Sequence, residues 1–217
     1  MYIIIVGAGG IGRRLTELCL SEGHNNIVVI DKDQVKCEDI ARKYDAATIH
    51  ADATQEEILD ELDIKKADVL IATTNDDATN MLIVSFAKNR GVKNLISVVN
   101  QEESKCLYQE KGVRMVKKPD MLMAEMIYKS IKYPTIEGYL NLNGYAEVIR
   151  LPINKDSYYF GKTIKEVWSQ HKGVVIGIER EKRFIIPTTE IQFSKGDIIS
   201  VLVPKEKVDK IVKLFSE

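Results

Sequence analysis

Apolar residues along this chain fall into short unbroken runs, separated by longer stretches in which they recur every three or four positions. The runs lie near 2–6, 27–31, 46–50, 68–73, 94–99 and 113–116. The stretches near 11–22, 33–43, 55–62, 77–90, 101–111 and 119–132 have helical spacing. Val69-Leu70-Ile71-Ala72 is apolar at every position, as expected of a strand covered on both faces. Such alternation predicts an α/β domain with a doubly wound parallel sheet and helices on both sides. Local signals refine the bounds. Thr54 followed by Glu57 reads as a capping box opening the third helix. Asp76 and Asp77 are placed to cap the fourth, and Gly91 to end it. Pro119 suits the first turn of the sixth.

The pattern changes near 133–140. Tyr133-Pro134 stops a helix, and Gly138 and Gly144 punctuate a short polar stretch. Apolar segments at 146–153, 173–178 and 197–203 then read as strands, with helical patterns at 161–170 and 205–216. Residues 1–136 are therefore expected to form the α/β domain, and residues 137–217 a second, small α+β domain. The second is small for the substrate domain of a dehydrogenase.

Chemistry enters at the first strand–helix junction. Gly7-Ala8-Gly9-Gly10-Ile11-Gly12 follows an apolar strand and opens a helix. Nineteen residues past Gly12, at the end of the second strand, stands Asp31. That is the layout of a Rossmann-like dinucleotide-binding βαβ unit. Gly7 allows the tight turn, Gly9 lets a pyrophosphate approach the backbone, and Gly12 lets the helix pack closely on the strand. The helix start then offers unpaired N–H groups and a positive dipole end to phosphates. Asp31 can accept from ribose hydroxyls and repel a 2′-phosphate, so NAD(H) or an adenine nucleotide (ATP or ADP) is expected rather than NADP. Arg13, just inside the helix, is a candidate phosphate contact but equally a solvated surface arginine.

Charge and composition narrow the field. The formal net charge of −1 offers no broad electrostatic footprint for nucleic acid or a membrane surface. Lys117-Lys118 reads as a solvated edge. No segment is long and apolar enough for direct membrane insertion, and the chain begins in a strand without a leader pattern, so a cytoplasmic protein is expected. Cys19, Cys37 and Cys106 fit neither a zinc pattern nor a disulfide framework, and packing is the expected role of the first two. His24, His50 and His171 are scattered, and no Tyr-x-x-x-Lys, G-x-S-x-G or H-E-x-x-H motif occurs. No catalytic or metal-ligating set is assigned.

Further motifs carry a resemblance. Ala51-Asp52-Ala53-Thr54 resembles a G-D-A-T segment, and Ile71 through Met81 resembles A-V-T-x-D-D-x-x-N. Gly112-Val113 through Pro119, leading to Ala124, resembles a last strand and crossover helix. Gly161-Lys162-Thr163-Ile164 and Ile186-Pro187 through Gly196-Asp197 match a second domain pattern. With these motifs, nearly the whole chain is similar to the KTN (TrkA-N, RCK-N) and TrkA-C (RCK-C) domains of regulatory subunits of Trk/Ktr-type potassium transporters. The resemblance implies a regulator, not an enzyme. It would sense nucleotide, act on a membrane potassium transporter subunit, and work as a homo-oligomer on the inner face of the membrane. It also implies that Asp31 holds the adenosine ribose, that Asp52 and Ala53 approach the adenine, and that Thr73, Thr74 and Asn75 line the floor near the phosphates. The chain departs at two positions. Ala51 stands where the family has glycine, and Val98 where many members carry an arginine that would face phosphate. The alternative function is an NAD-dependent oxidoreductase, which needs an acid–base group beside the nicotinamide. Separately, Met121, Leu122, Met123, Met126, Ile127 and Ile131 give the sixth helix more apolar surface than one sheet face covers, which predicts a second subunit against it, the alternative being burial within the chain.

Overall fold

A computed structural model of the chain describes residues 1–23, 26–117, 119–142, 144–166 and 173–216, apart from the side chains of 102, 105, 116, 117 and 216. His24, His171, Lys118 and the end of the 161–170 helical pattern lie outside the described residues. Two compact units are present, Met1–Met121 and Leu122–Glu217.

The first unit alternates strand and helix: β1 (Tyr2–Val6), α1 (Gly10–Ser21), β2 (Asn26–Asp31), α2 (Gln34–Lys43), β3 (Ala47–His50), α3 (Glu56–Glu61), β4 (Val69–Ala72), α4 (Asp77–Asn89), β5 (Asn94–Val99), α5 (Lys105–Glu110) and β6 (Arg114–Lys117). All six strands are parallel, in the order β3-β2-β1-β4-β5-β6. Each central strand is buried on both faces. Ile4, Val6, Val28, Ile30, Leu70 and Ala72 pack on one side with Ile83, Val84 and Ala87 of α4. Ile3, Ile5, Ile27, Val29 and Ile71 pack on the other with Ile40 of α2. Cys37 is buried, with Sγ 3.5 Å from the Asp31 carbonyl, and burial pushes its thiol up in pKa. The strand order reverses between β1 and β4, which makes their carboxyl ends the switch point of the sheet.

One helix start differs from expectation. The helix predicted at 55–62 begins at Glu56 with Gln55 as N-cap and no side-chain cap. The Thr54 hydroxyl donates instead to Asp52 Oδ1, at 2.7 Å. The capping box fails because the helix starts one residue later, so Thr54 precedes the N-cap and its hydroxyl faces Asp52 rather than the first-turn N–H groups. At the fourth helix Asp76 is the N-cap, accepting from the Thr79 N–H at 2.9 Å.

Helix α6 (Pro119–Lys132) begins in the first unit and continues into the second. Beyond it come β7 (Gly138–Leu142), β8 (Ala146–Pro152), β9 (Val174–Arg180), β10 (Arg183–Ile185), β11 (Ile198–Pro204) and α7 (Val208–Ser216). These strands form an antiparallel sheet ordered β10-β9-β11-β8-β7. Ile149, Leu151, Val175, Ile178, Ile199, Val201 and Val203 face Val208, Ile211, Val212 and Phe215 of α7. β7 and β10 were not predicted. The β9–β10 hairpin turns through Glu181 and Lys182, both at positive φ (50° and 62°) without the usual Asn-Gly signal. β7 is an edge strand whose glycine and asparagine dilute its apolar pattern.

Candidate functional site

Leaving β1, the chain turns through Gly7 at φ +103°. A Cβ there would meet Thr73 Oγ1 at 2.8 Å. Gly12, in the first turn of α1, is more constrained: its Cβ would lie 1.8 Å from the Gly7 carbonyl oxygen. Only glycine lets the helix start this close to the strand. The Thr73 hydroxyl sits 3.0 Å from the Val6 carbonyl and 3.1 Å from that of Gly7, which locks β4 to the turn. Gly9 is the N-cap of α1, with extended backbone and no side-chain cap, and no acidic residue occupies the first turn. A Cβ on Gly9 would meet nothing within 4 Å. The first-turn N–H groups, which have no intrahelical acceptor, thus begin beside open space and carry the positive end of the helix dipole.

That space is a cleft of about 480 Å³ at the carboxyl ends of β1, β2 and β4. It is lined by Gly7, Gly9, Asp31, Asp52, Ala53, Thr73, Thr74 and Asn75, all singled out from the sequence. Ala8, Gly10, Ile11 and Gly12 are not among its lining residues. Ala8 is buried, and its N–H donates to Asp31 Oδ2 at 2.6 Å. Asp31 Oδ1 accepts from the Asp33 N–H at 2.9 Å. One carboxylate therefore ties the β1–α1 loop to the β2–α2 loop at the rim of the cleft. Asp52 accepts the Thr54 hydroxyl and, at 3.0 Å, the Thr54 N–H; these bonds hold its carboxyl below the usual carboxylate range. On the opposite wall Thr74 donates through Oγ1 to Asn80 Oδ1 at 2.7 Å.

Lining residues not assigned to the cleft from the sequence include Lys32 and Lys36, with Asp76, Thr79 and Ile83 on the far wall. The signal was available in spacing alone: Lys32 directly follows Asp31, and Lys36 lies in the first turn of α2, which Asp33 caps. Lys36 Nζ lies 3.5 Å from Asp33 Oδ2. Two lysines therefore share the lining of the cleft with Asp31. Arg13 is directed elsewhere, with Nη2 3.7 Å from Asp39 Oδ2. Val98 is buried under the far wall, and its carbonyl accepts from Asn80 Nδ2 at 3.3 Å. His50 is exposed, with Nε2 3.0 Å from the Lys32 carbonyl, and does not line the cleft. Among the described residues no group of histidine, cysteine, aspartate and glutamate could hold a metal ion.

This geometry has relatives. The TrkA-N domain family model matches residues 3–119, more than half of the chain, and the TrkA-C domain model matches residues 148–216. A Trk system potassium uptake protein TrkA homolog from Methanothermobacter thermautotrophicus is 27% identical over 217 residues, covering 100% of both chains. One from Pyrococcus abyssi is 26% identical over 224 residues, covering 100% of this chain and 98% of the relative. Among solved structures, the GsuK channel bound to NAD shares the fold over 100% of this chain, with a TM-score of 0.65 and 20% identity. This chain spans only 39% of that channel chain. The sheet order, the glycine turn and both domain matches agree: the chain belongs to the family that joins a TrkA-N domain to a TrkA-C domain.

Proposed function

We propose that this chain is a nucleotide-sensing regulatory subunit of a membrane potassium-transport system. The observation that carries the reading is the uncapped start of α1, facing a cleft whose rim holds Asp31 at the end of β2. A pyrophosphate finds backbone donors and a helix dipole at one point, and a ribose finds a carboxylate at another. NAD(H), ADP and ATP are the ligands this arrangement favours. Potassium transport is supported by the names of the two full-length relatives. No helix among the described residues is long and apolar enough to cross a membrane, so regulation would be exerted through a membrane partner from the cytoplasmic side. We take residues 1–136 as the sensing part, with α6 as its output, and 137–217 as a second part adding subunit contacts. Different nucleotides would favour different arrangements of neighbouring subunits, each by its differential affinity.

The reading is tested in a strain lacking the protein. Potassium uptake at limiting external potassium is expected to fall or lose regulation, and to recover on re-expression. Unchanged uptake would remove the potassium assignment. Steady turnover of NAD or NADH with any alcohol, hydroxy acid or aldehyde would instead favour an oxidoreductase.

A further inference from the structure

The first turn of α4 carries two buried polar side chains that reach outside their helix. Asn80 is fully buried. Its Oδ1 accepts from the Thr74 N–H at 3.1 Å and from the Thr74 hydroxyl at 2.7 Å. Its Nδ2 donates to the Thr74 carbonyl at 2.9 Å and to the Val98 carbonyl at 3.3 Å. Asp77 is buried as well. An acid at this position ordinarily serves its own helix start. Here Asp76 caps the helix, and Asp77 turns to the chain leaving β5. It accepts from the Asn100 N–H at 2.9 and 3.0 Å, from Asn100 Nδ2 at 3.1 Å, and from the Gln101 N–H at 2.8 Å. The Asp77 carbonyl accepts the hydroxyl of fully buried Tyr108, in α5, at 2.8 Å. Asn100 Nδ2 also reaches the Asn75 carbonyl at 3.4 Å.

Thr74, which lines the cleft, is thus linked through Asn80 to the Val98 carbonyl, Asn75 directly to Asn100, and the following Asp77 to residues 100–101 and to Tyr108 of α5. We propose that Asp77 and Asn80 are positioning residues forming a latch, which transmits occupancy of the cleft to residues 98–110. The inference rests on the nucleotide-binding reading of the cleft. A ligand seated against Thr73–Asp76 orders that wall. Because its polar groups are bonded to the next loop, opening of residues 98–110 becomes less frequent in the same step. The coupling is reciprocal: whatever steadies 98–110 tightens nucleotide binding by the same factor.

Hydrogen–deuterium exchange on the full chain, with and without saturating NAD or ADP, tests this beside titration calorimetry. In the wild type, nucleotide is expected to slow exchange at residues 7–13 and, by about fivefold or more, at residues 98–110. Asp77→Asn sets an amide NH2 against the backbone donors of Asn100 and Gln101. That variant is expected to bind nucleotide within about threefold of wild type, yet to keep protection only at residues 7–13. A merely structural defect would instead raise exchange at 98–110 by the same factor in both states, leaving the nucleotide-dependent slowing in place, and would overturn the latch. Wild-type binding with protection confined to the cleft would overturn the latch and leave the cleft reading intact. So would full protection of 98–110 in Asp77→Asn. Absence of any binding of NAD or ADP to the wild type would overturn both. The wild-type exchange pattern decides even where Asp77→Asn does not fold, and Tyr108→Phe, which deletes one donor, is then expected to reduce protection of 105–110.

Discussion

Two glycines of one motif have opposite tolerances. At Gly12 a methyl group would collide with the Gly7 backbone carbonyl, so Gly12→Ala must separate α1 from β1. It is expected to lose the cooperative unfolding transition, or to lower the melting temperature by about ten degrees or more, seen by circular dichroism. Gly9→Val has open space around its Cβ and an extended backbone, so it is expected to melt near wild type while losing nucleotide heat in calorimetry. Equal stability of the two variants would contradict the close-approach account. Asp31 poses a different question. Its carboxylate is bonded by the Ala8 N–H, and two lysines line the same rim. Asp31→Ala is expected to weaken NAD binding by ~1–3 kcal/mol, the scale of a charge-assisted hydrogen bond. It should also narrow the preference over NADP, since the carboxylate that repels a 2′-phosphate is gone while Lys32 and Lys36 still line the cleft. Parallel titrations check both, and an unchanged NAD-to-NADP ratio would remove Asp31 from that role.

The most consequential element is α6, whose two ends differ in surroundings. Its apolar side chains stand largely in solvent, with Met121 and Leu122 52% exposed, Ile127 57% and Ile131 72%. Its last turn is pinned within the second unit. Lys129 Nζ lies 3.0 and 2.7 Å from the two carboxylate oxygens of Glu147, which is fully buried on β8. The Tyr139 hydroxyl donates to the same carboxylate at 3.3 Å, and burial, with Glu147 beside it, pushes its pKa up to about 12. Lys132 Nζ pairs with Asp209 of α7 at 2.9 Å, and the Tyr133 hydroxyl bonds the same aspartate. Lys129→Met leaves the Glu147 carboxylate buried beside an apolar chain. It is expected to cost about 3–5 kcal/mol in urea unfolding, because an uncompensated buried charge is worse than no pair at all. A loss below about 1 kcal/mol would mean that water reaches Glu147.

At the scale of the whole molecule, the exposed stripe of α6 is too apolar to be left in water by a stable monomer. A homo-oligomer follows as an expectation. Light scattering at micromolar concentration should give at least twice the 24.6 kDa mass of the chain. Ile127→Glu with Ile131→Glu should reduce that mass without unfolding the protein, since neither side chain is buried in the chain itself. A single-chain mass for the wild type would leave the stripe without a partner copy. The expected subunit contact and the proposed latch then concern successive segments of chain, because residues 98–110 lead through β6 into α6.

The sequence by itself determined the order and type of the principal elements, the glycine turn and the position of Asp31 at the end of β2. These are local consequences of hydrophobic period, of steric demands at single residues and of spacing. It did not determine the β9–β10 hairpin, because Glu181 and Lys182 are held at positive φ by strand pairing rather than by their own preference. Nor did it determine where the hydroxyl of Thr54 or the carboxylate of Asp77 would go. A capping signal does not fix the residue at which a helix starts, and the carboxylate of Asp77 bonds donors that the fold brings to it from beyond β5. The cleft itself is a tertiary product. Gly7, Asp31, Asp52 and Thr73 leave four different strands, and only the parallel order β3-β2-β1-β4 sets their carboxyl ends side by side. Strand order is set by which buried faces pack together across tens of residues, and no window along the chain contains that information.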